Sequence, residues 1–189
     1  MLCIIALLSA ATVSHAVSQQ EMANLEVVDT PTTKTMMRGF YNFNVQFYGG
    51  GGVMTKLWIS IHEIFMIGGS FNLDNVIGSG RVDGRDPKVL LRVKVVPEGF
   101  PFPTLNLGYE PQSTGLPNTS PLGLYLAFGH ERKLFKDGKY GFTLGAGNHD
   151  VFKDFNARKD MNLFLNSYVW FTTNLGLTAE VADLTQGDR

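Results

Sequence analysis

Residues 41–74 alternate apolar and polar side chains in three successive runs, "YNFNVQFY", "VMTKLWISIH" and "FMIGGSFNLD". Successive side chains of a β-strand point to opposite faces of a sheet, so these runs predict strands with one apolar face and one polar face. Six more runs of this kind follow, at 88–95, 104–110, 122–131, 139–148, 161–171 and 175–183. The pattern predicts nine strands and an all-β fold.

The two faces of the predicted strands differ in charge. Charged residues and most glycines of the runs share the polar face, and the opposite face carries no formal charge. Alternation alone leaves the orientation open, because a soluble sandwich turns its apolar side inward and a membrane barrel turns it outward. The candidates for a lumen-facing position are Lys56, Arg92, Lys94, Glu110 and Glu180. The candidates for a lipid-facing position are Phe43, Val45, Leu57, Ile59, Ile67, Leu91 and Val93.

The length of the runs favours the membrane orientation. Many of them extend over about 9 to 11 residues, the length of a tilted strand across a bilayer, whereas soluble strands average about 5 to 6. From the third run onward, long and short connections alternate, as they do in barrels with short periplasmic turns and longer outer loops. We therefore predict an antiparallel transmembrane β-barrel with about 8 to 10 visible strands, or a fragment of a larger barrel. A barrel of 8 to 10 strands has little room for a water channel, so we expect a plugged lumen unless missing strands enlarge it.

The N-terminus has the features of an export signal. Residues 1–16, "MLCIIALLSAATVSHA", hold an apolar stretch followed by a small-x-small cleavage pattern, which is typical of a secretory signal peptide. No Lys or Arg precedes the apolar stretch, so a buried N-terminal helix is the alternative. We expect residues 17–35 to be an extended periplasmic lead and residues 36–189 to form the barrel domain. The one cysteine, Cys3, lies in the signal segment, so the mature chain would have neither disulfides nor a reactive thiolate.

Composition disfavours several other classes of function. The formal net charge is −1 and charged residues make up 17% of the chain, compared with about 25% in ordinary soluble domains. A chain without a basic excess has no field that attracts nucleic acid, so we expect no nucleic-acid partner. The histidines show no paired spacing and no cysteine ligands accompany them, so we expect no metal and no cofactor.

We interpret three short motifs as structural features rather than as catalytic or binding sites. Gly49–Gly52 resembles a phosphate-binding nest, but no Lys-Ser/Thr follows it, and a hairpin turn fits better. Ser60, His62 and Glu63 could form a Ser-His-acid hydrolase site, but no glycine elbow is present, and we predict no catalytic residue. A third group of acids fits solvated loops better than a calcium site, because its spacing is not that of an EF-hand. These acids are Asp74, Asp83 and Asp86.

Four segments carry a resemblance to known proteins: "VVDTPTTKTMMRGFYNFNVQFYGGGG", "NLDNVIGSG", "PTLNLGYE" and "PLGLYLAFGH". Together they resemble a family of uncharacterised outer-membrane β-barrel proteins of Gram-negative bacteria, in which a Thr-Pro-Thr segment precedes the first strand and a Gly-Leu-Tyr strand lies mid-chain. The resemblance extends from Val27 to Val181. Because its motifs are structural, it bears on fold and location more than on activity.

The resemblance implies a location in the outer membrane after export with a cleaved signal peptide. Its implied partners are outer-membrane lipid, lipopolysaccharide and the barrel-assembly machinery, with the oligomeric state left open. Bacterial barrels usually have an even number of strands and commonly finish on an aromatic residue, whereas nine runs are visible here and the sequence ends "LTQGDR". We therefore expect the C-terminus to be incomplete.

The predicted function is that of a non-enzymatic outer-membrane barrel, either a structural component of the envelope or part of a transport or secretion system. The first alternative is a secreted soluble β-sandwich or lipocalin-like carrier, whose apolar face would line an internal cavity for an apolar ligand. The second alternative is an outer-membrane lipid hydrolase.

Overall fold

A computed structural model of the chain describes residues 25–26, 30–97, 102–112, 122–134, 138–148, 161–172 and 175–182. Within these ranges the regular structure consists of β-strands, and no stretch forms a helix with the length and apolar character needed to cross a membrane. The predicted signal peptide (1–16) and the last residues (183–189) lie outside the described residues. The strands are β1 (Tyr41–Tyr48), β2 (Gly52–His62), β3 (Phe65–Asp74), β4 (Asp83–Gly84), β5 (Lys88–Val96), β6 (Thr104–Glu110), β7 (Gly123–Lys133), β8 (Lys139–Asn148), β9 (Met161–Trp170) and β10 (Gly176–Val181).

The strands form one antiparallel sheet in the order β1-β2-β3-β5-β6-β7-β8-β9-β10, and β4 pairs only with the end of β3. Each strand of this path therefore pairs with the next one along the chain, apart from the short β4. The sheet curls into a half-barrel. The predicted all-β antiparallel class is confirmed, and the nine predicted runs coincide with the nine strands of the path. The sequence did not predict β4, because a two-residue strand is too short to show alternation.

The connection between β1 and β2 is a tight hairpin built from glycine. Tyr48 pairs with Gly52, so three residues make the turn, and Gly50 and Gly51 adopt φ values of 81° and 74°. L-residues with side chains rarely adopt such angles, whereas glycine does so without steric cost. The run Gly49–Gly52 is therefore a hairpin turn, as expected from the sequence.

The two faces of the half-barrel differ in what they expose. We call the concave side the inner face and the convex side the outer face. The predicted lipid-facing side chains lie on the outer face, where Phe43 is 62% exposed and Ile67 36% exposed. Val45, Leu57 and Ile59 are likewise exposed, and Leu91 and Val93 are half-buried. The buried apolar clusters lie on the inner face and consist of Leu25, Trp58, Met66 and Leu90, and of Leu122, Tyr125, Ala127 and Phe164.

Aromatic side chains and glycines pair across neighbouring strands on the inner face. Phe164 on β9 lies opposite Gly145 on β8, and its ring occupies the space where a Cβ at Gly145 would stand. In the same way, the ring of Tyr125 lies over Gly108 and the ring of Trp58 lies over Gly68. The same arrangement recurs in the pairs Tyr168 and Gly141, Trp170 and Gly176, and Tyr48 and Gly52. The glycines of the polar face therefore provide room for a layer of rings inside the curl.

Candidate functional site

A segment that precedes β1 lies against the inner face. We call residues 25–26 and 30–36 the inner segment. Glu26 and Pro31 form an isolated antiparallel bridge, and the Thr32 amide donates to the Leu25 carbonyl over 2.9 Å, so the described parts of the segment lie side by side. Thr30 and Thr32 are each 1% exposed. The inner segment therefore fills part of the curl.

Four charged side chains meet where the inner segment lies against the sheet, one from the segment and three from the strands. Lys56 Nζ on β2 lies 2.9 Å from Glu26 Oε2 and 3.7 Å from Glu110 Oε2. Glu110 Oε1 in turn accepts a hydrogen bond of 2.8 Å from Arg92 Nη2. All four side chains are at most 6% exposed, and two cations oppose two anions. Removing charges from water is costly, and balanced pairs with good geometry offset much of that cost.

Arg92 joins the sheet to the inner segment. Its Nε donates to the Tyr125 hydroxyl over 2.9 Å, and its Nη1 donates to the Leu25 carbonyl over 3.0 Å and to the Lys34 carbonyl over 3.3 Å. The guanidinium also lies 5.0 Å from the ring centroid of Trp58, within the range of a cation–π interaction. One buried side chain thus contacts β7, β2 and two points of the inner segment.

A second ion pair holds the inner segment against β7. Lys34 Nζ lies 2.7 Å from Glu131 Oε1, and the Tyr168 hydroxyl donates to Glu131 Oε2 over 2.6 Å. Lys139 Nζ approaches the same carboxylate at 3.9 Å. Beside this pair, Thr33 occupies the space where a Cβ at Gly129 would stand. The segment therefore packs closely against the sheet as well as pairing with it.

At its other end the inner segment contacts the last two strands. Asn166 Nδ2 on β9 donates to Thr30 Oγ1 over 2.9 Å and to the Pro31 carbonyl over 3.0 Å. The Thr30 amide donates to Glu180 Oε2 on β10 over 3.1 Å. Since Glu26 contacts Lys56 on β2, this short stretch joins strands near opposite ends of the sheet.

The residues considered for a hydrolase do not form a nucleophile–base pair. The Ser60 hydroxyl is 2% exposed and lies within hydrogen-bond distance of two backbone carbonyls, that of Met36 at 2.8 Å and that of His62 at 3.1 Å. His62 is exposed, and its Nδ1 accepts from the Ile64 amide at 3.4 Å. An irregularity in the β2–β3 register separates Ser60 from His62. Ser60 thus contributes to holding the inner segment.

Several buried side-chain atoms have no hydrogen-bond partner among the residues that the structure describes. They include Glu26 Oε1, Trp58 Nε1 and both side-chain amide atoms of Asn106. Burial raises the pKa of the Glu26 carboxyl and the nearby Glu110 carboxylate acts in the same direction, whereas Lys56 acts against them. The pKa is raised because desolvation of the charged carboxylate outweighs the attraction of its partner.

Of the loop acids considered for calcium, Asp74 and Asp83 lie opposite each other in the β3–β4 register. Asp74 pairs with Arg85, whose Nε lies 2.7 Å from Asp74 Oδ2, and it also accepts a hydrogen bond from the Tyr48 hydroxyl. Asp83 and Asp86 are exposed. Among the residues that the structure describes, no three His, Cys, Asp or Glu side chains come together in a metal-binding group.

The structure brings three of the five predicted lumen-facing residues into one cluster, namely Lys56, Arg92 and Glu110. Glu180 lies apart, at the Thr30 contact, and Lys94 is half-buried on the same face of β5 as Arg92. Sequence reasoning missed Glu26 and Lys34, because it assigned residues 17–35 to a lead outside the barrel domain. The described part of that range instead packs inside the curl. Its Thr- and Pro-rich sequence has no periodicity that would indicate packing.

Comparison of the chain with models of protein families, with curated proteins and with solved structures found no match. The resemblance to outer-membrane barrels of Gram-negative bacteria therefore remains a prediction from the quoted motifs.

Proposed function

We propose that this protein is an outer-membrane β-barrel of a Gram-negative bacterium. It is exported with a cleaved signal peptide, and its outer face contacts lipid and lipopolysaccharide. We further propose that it is not an enzyme and serves as a structural component of the envelope or as part of a transport or secretion system. The barrel-assembly machinery would insert it.

This proposal is supported above all by the distribution of side chains, which exposes apolar residues on the outer face and buries charged residues on the inner face. Phe43, Leu57, Phe142 and Leu144 are each 41% to 62% exposed on the outer face, while Arg92 on the inner face is fully buried. Soluble monomers rarely expose large continuous apolar surfaces. In a bilayer such a surface contacts acyl chains instead of water, and the hydrogen bonds between paired strands satisfy their backbone polar groups.

The inner segment gives the proposed barrel a closed interior. In the described structure it lies over Lys56, Arg92 and Glu110 and hydrogen-bonds to side chains from β2, β5 and β9. A barrel of this strand number has room for little more than its own side chains. We therefore propose a plugged lumen, with any transport depending on displacement of this segment or on a partner.

The two alternatives fit the inner face less well. A lipocalin-like carrier requires a cavity lined by apolar side chains, whereas the centre of this inner face holds two buried cations and two buried carboxylates. A lipid hydrolase requires a nucleophile within reach of a base. Ser60 and His62 provide no such pair, because both acceptors near the Ser60 hydroxyl are backbone carbonyls.

Membrane fractionation with cysteine labelling tests the proposal. The gene is expressed in a Gram-negative host, and its outer membranes are washed with high salt and carbonate. We expect the protein to stay in the membrane fraction. A cysteine at Ile67 on the outer face should react with a lipid-soluble maleimide and resist a water-soluble one, whereas a matched cysteine at Ile77 in the loop after β3 should react with both. Recovery in the soluble periplasm, or equal labelling of both positions by the water-soluble reagent, would contradict the proposal.

A further inference from the structure

The outer face of the half-barrel carries a formal charge at the end of β7. Strand β7 continues beyond the run predicted from alternation and ends at Lys133. Its side chains alternate between the two faces, and because Tyr125 and Ala127 point inward, His130 and Arg132 lie on the outer face. In the nine strands of the path, as far as the structure describes them, no other Lys, Arg, Asp or Glu lies on that face. Arg132 is therefore an exception on an otherwise uncharged surface.

Arg132 lies at the level where the outer surface would leave the hydrocarbon. It is the next-to-last residue of β7, and its side chain is exposed. A charged residue on the lipid face of a barrel is costly at the bilayer midplane and costs little near the interfaces. A position among the lipid headgroups therefore accounts for an arginine at this point of the surface.

The lengths of the connections assign this end of the sheet to one side of the membrane. The connection from β7 to β8 spans residues 134–138, whereas those from β6 to β7 and from β8 to β9 span 111–122 and 149–160. Short connections are periplasmic in bacterial barrels. The end that carries Arg132 therefore belongs to the periplasmic side of the proposed barrel.

His130 and Arg132 form a hydrogen-bonded pair. Arg132 Nε donates to His130 Nε2 over 2.9 Å, so the accepting nitrogen carries no proton and the ring N–H is on Nδ1. Arg132 forms no ion pair with a carboxylate among the residues that the structure describes. Its two Nη groups hold four further N–H donors. The pair thus offers one positive charge and several donors at one point of the surface.

Two aromatic residues of β8 lie beside this pair. Tyr140 is opposite Arg132 in the β7–β8 register, and Phe142 is opposite His130. Side chains opposite each other on one face have Cβ atoms about 4.5–5.5 Å apart, so Tyr140 brings a phenol hydroxyl to the same end of the surface. Phe142 and Phe128 are 43% and 44% exposed and continue the apolar surface inward from the strand end. Polar groups followed by apolar surface match the phosphate and the acyl chains of a phospholipid.

We propose that His130, Arg132 and Tyr140 bind the phosphate of an anionic phospholipid in the periplasmic leaflet. This inference rests on the proposed membrane function. A guanidinium presents parallel N–H groups that match the oxygens of a phosphate, while the acyl chains lie against Phe128 and Phe142. The described strands have no outer-face carboxylate that could pair with the ammonium of phosphatidylethanolamine. Phosphatidylglycerol, whose headgroup carries one negative charge, is therefore the better match for a site with one positive charge.

Lipid A also carries phosphate, but the position of the site favours phospholipid. In a Gram-negative outer membrane lipid A occupies the outer leaflet and phospholipid the periplasmic one. At the opposite end of β7, β8 and β9, the outer-face residues that lie side by side are Leu124, Asn148 and Met161, and none of them is charged. Arg132 thus has no counterpart on these strands at the end where lipid A would lie.

Lipid binding in detergent tests the site. The protein, purified in a maltoside detergent, is titrated with phosphatidylglycerol, and bound lipid is counted by native mass spectrometry. Arg132→Gln should weaken binding of the tightest-bound lipid about tenfold, because a hydrogen bond to a charged group is lost. Phosphatidylethanolamine with the same chains should bind the native protein more weakly than phosphatidylglycerol.

Lys133→Gln is the matched control. It removes the same charge from the adjacent, exposed residue, whose side chain belongs to the other face of β7, and it should change the affinity by less than about twofold. Native affinity in Arg132→Gln would overturn the inference. Equal weakening by both substitutions would do so as well, because it would show a general effect of net charge.

Photocrosslinking in cells distinguishes the two sources of phosphate. A photoreactive phenylalanine analogue is incorporated in place of Phe142, beside the site, or in place of Leu124, near the opposite end of β7. We expect phospholipid to be crosslinked from the first position, with a lower yield in the Arg132→Gln background, and lipopolysaccharide from the second. Lipopolysaccharide, or no lipid, at the first position would refute the proposed site. Retention in carbonate-washed membranes tests the proposed function separately, so a protein that is retained there and fails the lipid tests would refute the site alone.

Discussion

The guanidinium of Arg92 on β5 lies over the ring of Trp58 on β2, 5.0 Å from its centroid, although β3 runs between these two strands. Gly68 on β3 makes this contact possible. It is paired with Trp58 in the β2–β3 register, and a Cβ at Gly68 would come within 2.5 Å of the Leu57 carbonyl oxygen and 2.9 Å of Trp58 Cε3. A missing side chain on one strand thus allows contact between its two neighbours.

The first prediction concerns this glycine. Gly68→Ala should reduce the free energy of unfolding by about 1–3 kcal/mol, the usual cost of overpacking, and should change the fluorescence of Trp58. Gly69→Ala is the matched control, because the nearest atom to its added Cβ, the Lys88 carbonyl oxygen, lies at an ordinary 3.8 Å. Urea titration of both variants, refolded in lipid or detergent, measures the difference. Equal midpoints would contradict the packing described here.

The second prediction concerns the buried charge cluster. Lys56→Met removes the cation between Glu26 and Glu110 and should cost about 3–5 kcal/mol of stability, because two carboxylates then remain buried without it. Lys139→Met removes a side chain that is 23% exposed and whose ammonium lies 3.9 Å from Glu131 Oε2. It should cost less than Lys56→Met, because this pair is longer and less buried.

A combined variant tests the cause of that loss. Glu26→Gln in the Lys56→Met background should recover part of the lost stability, because only one buried carboxylate then remains in the cluster. Urea midpoints of the single and double variants form the double-mutant comparison. No recovery in the double variant would show that repulsion between carboxylates is not the cause.

The third prediction is a pH dependence that arises from Glu26. Its pKa in the folded protein is raised above its ordinary value of 4.5, so the folded state binds the proton more tightly than the unfolded state. The stabilisation it contributes is therefore fully present below about pH 4.5 and is lost as pH rises through the folded pKa. Glu26 faces Lys56, Arg92 and Glu110. These three residues are present in both the native protein and Glu26→Gln, so their contributions to stability remain in both.

Urea midpoints of the native protein and Glu26→Gln, measured from pH 4 to pH 8, isolate this contribution. The native protein should lose stability relative to the variant as pH rises. A constant difference between the two proteins, or a difference of opposite sign, would show that the Glu26 carboxyl does not have a raised pKa.

The fourth prediction concerns the loop after β3. Arg85→Ala removes an ion pair to Asp74 whose side chains are 42% and 26% exposed, so the change in unfolding free energy should be below about 1 kcal/mol. Asp74→Ala should cost more than Arg85→Ala, because the Tyr48 hydroxyl also loses its hydrogen bond to Asp74 and keeps only the longer contact of 3.4 Å to the Leu73 carbonyl. Parallel urea titrations check this order, and the reverse order would indicate that Tyr48 does not depend on Asp74.

Alternation was sufficient to predict the nine strands of the path, because a side-chain period of two follows directly from strand geometry. It also placed Trp58 and Tyr125 on the same face as Arg92. The register and the curl of the sheet were not predictable in this way, since both depend on pairing between strands. The aromatic–glycine pairs became recognisable only when the register was known.

The inner segment could not have been predicted from local sequence. Its contacts join residues far apart in the chain, such as Thr30 and Glu180, which are 150 residues apart. No periodicity in residues 25–36 indicates which face they would pack against. Alternation put the charged residues Lys56, Arg92 and Glu110 on the polar face, but their neighbour in the cluster, Glu26, lies in a stretch that resembled a linker.

The Thr30–Glu180 contact has a consequence for the order of folding. The inner segment is synthesised before any strand, yet one of its anchors exists only after β10 has been made. Contacts of such long sequence separation form late, because loop closure must precede them. We therefore expect these N-terminal residues to dock near the end of folding, after the last described strand has formed.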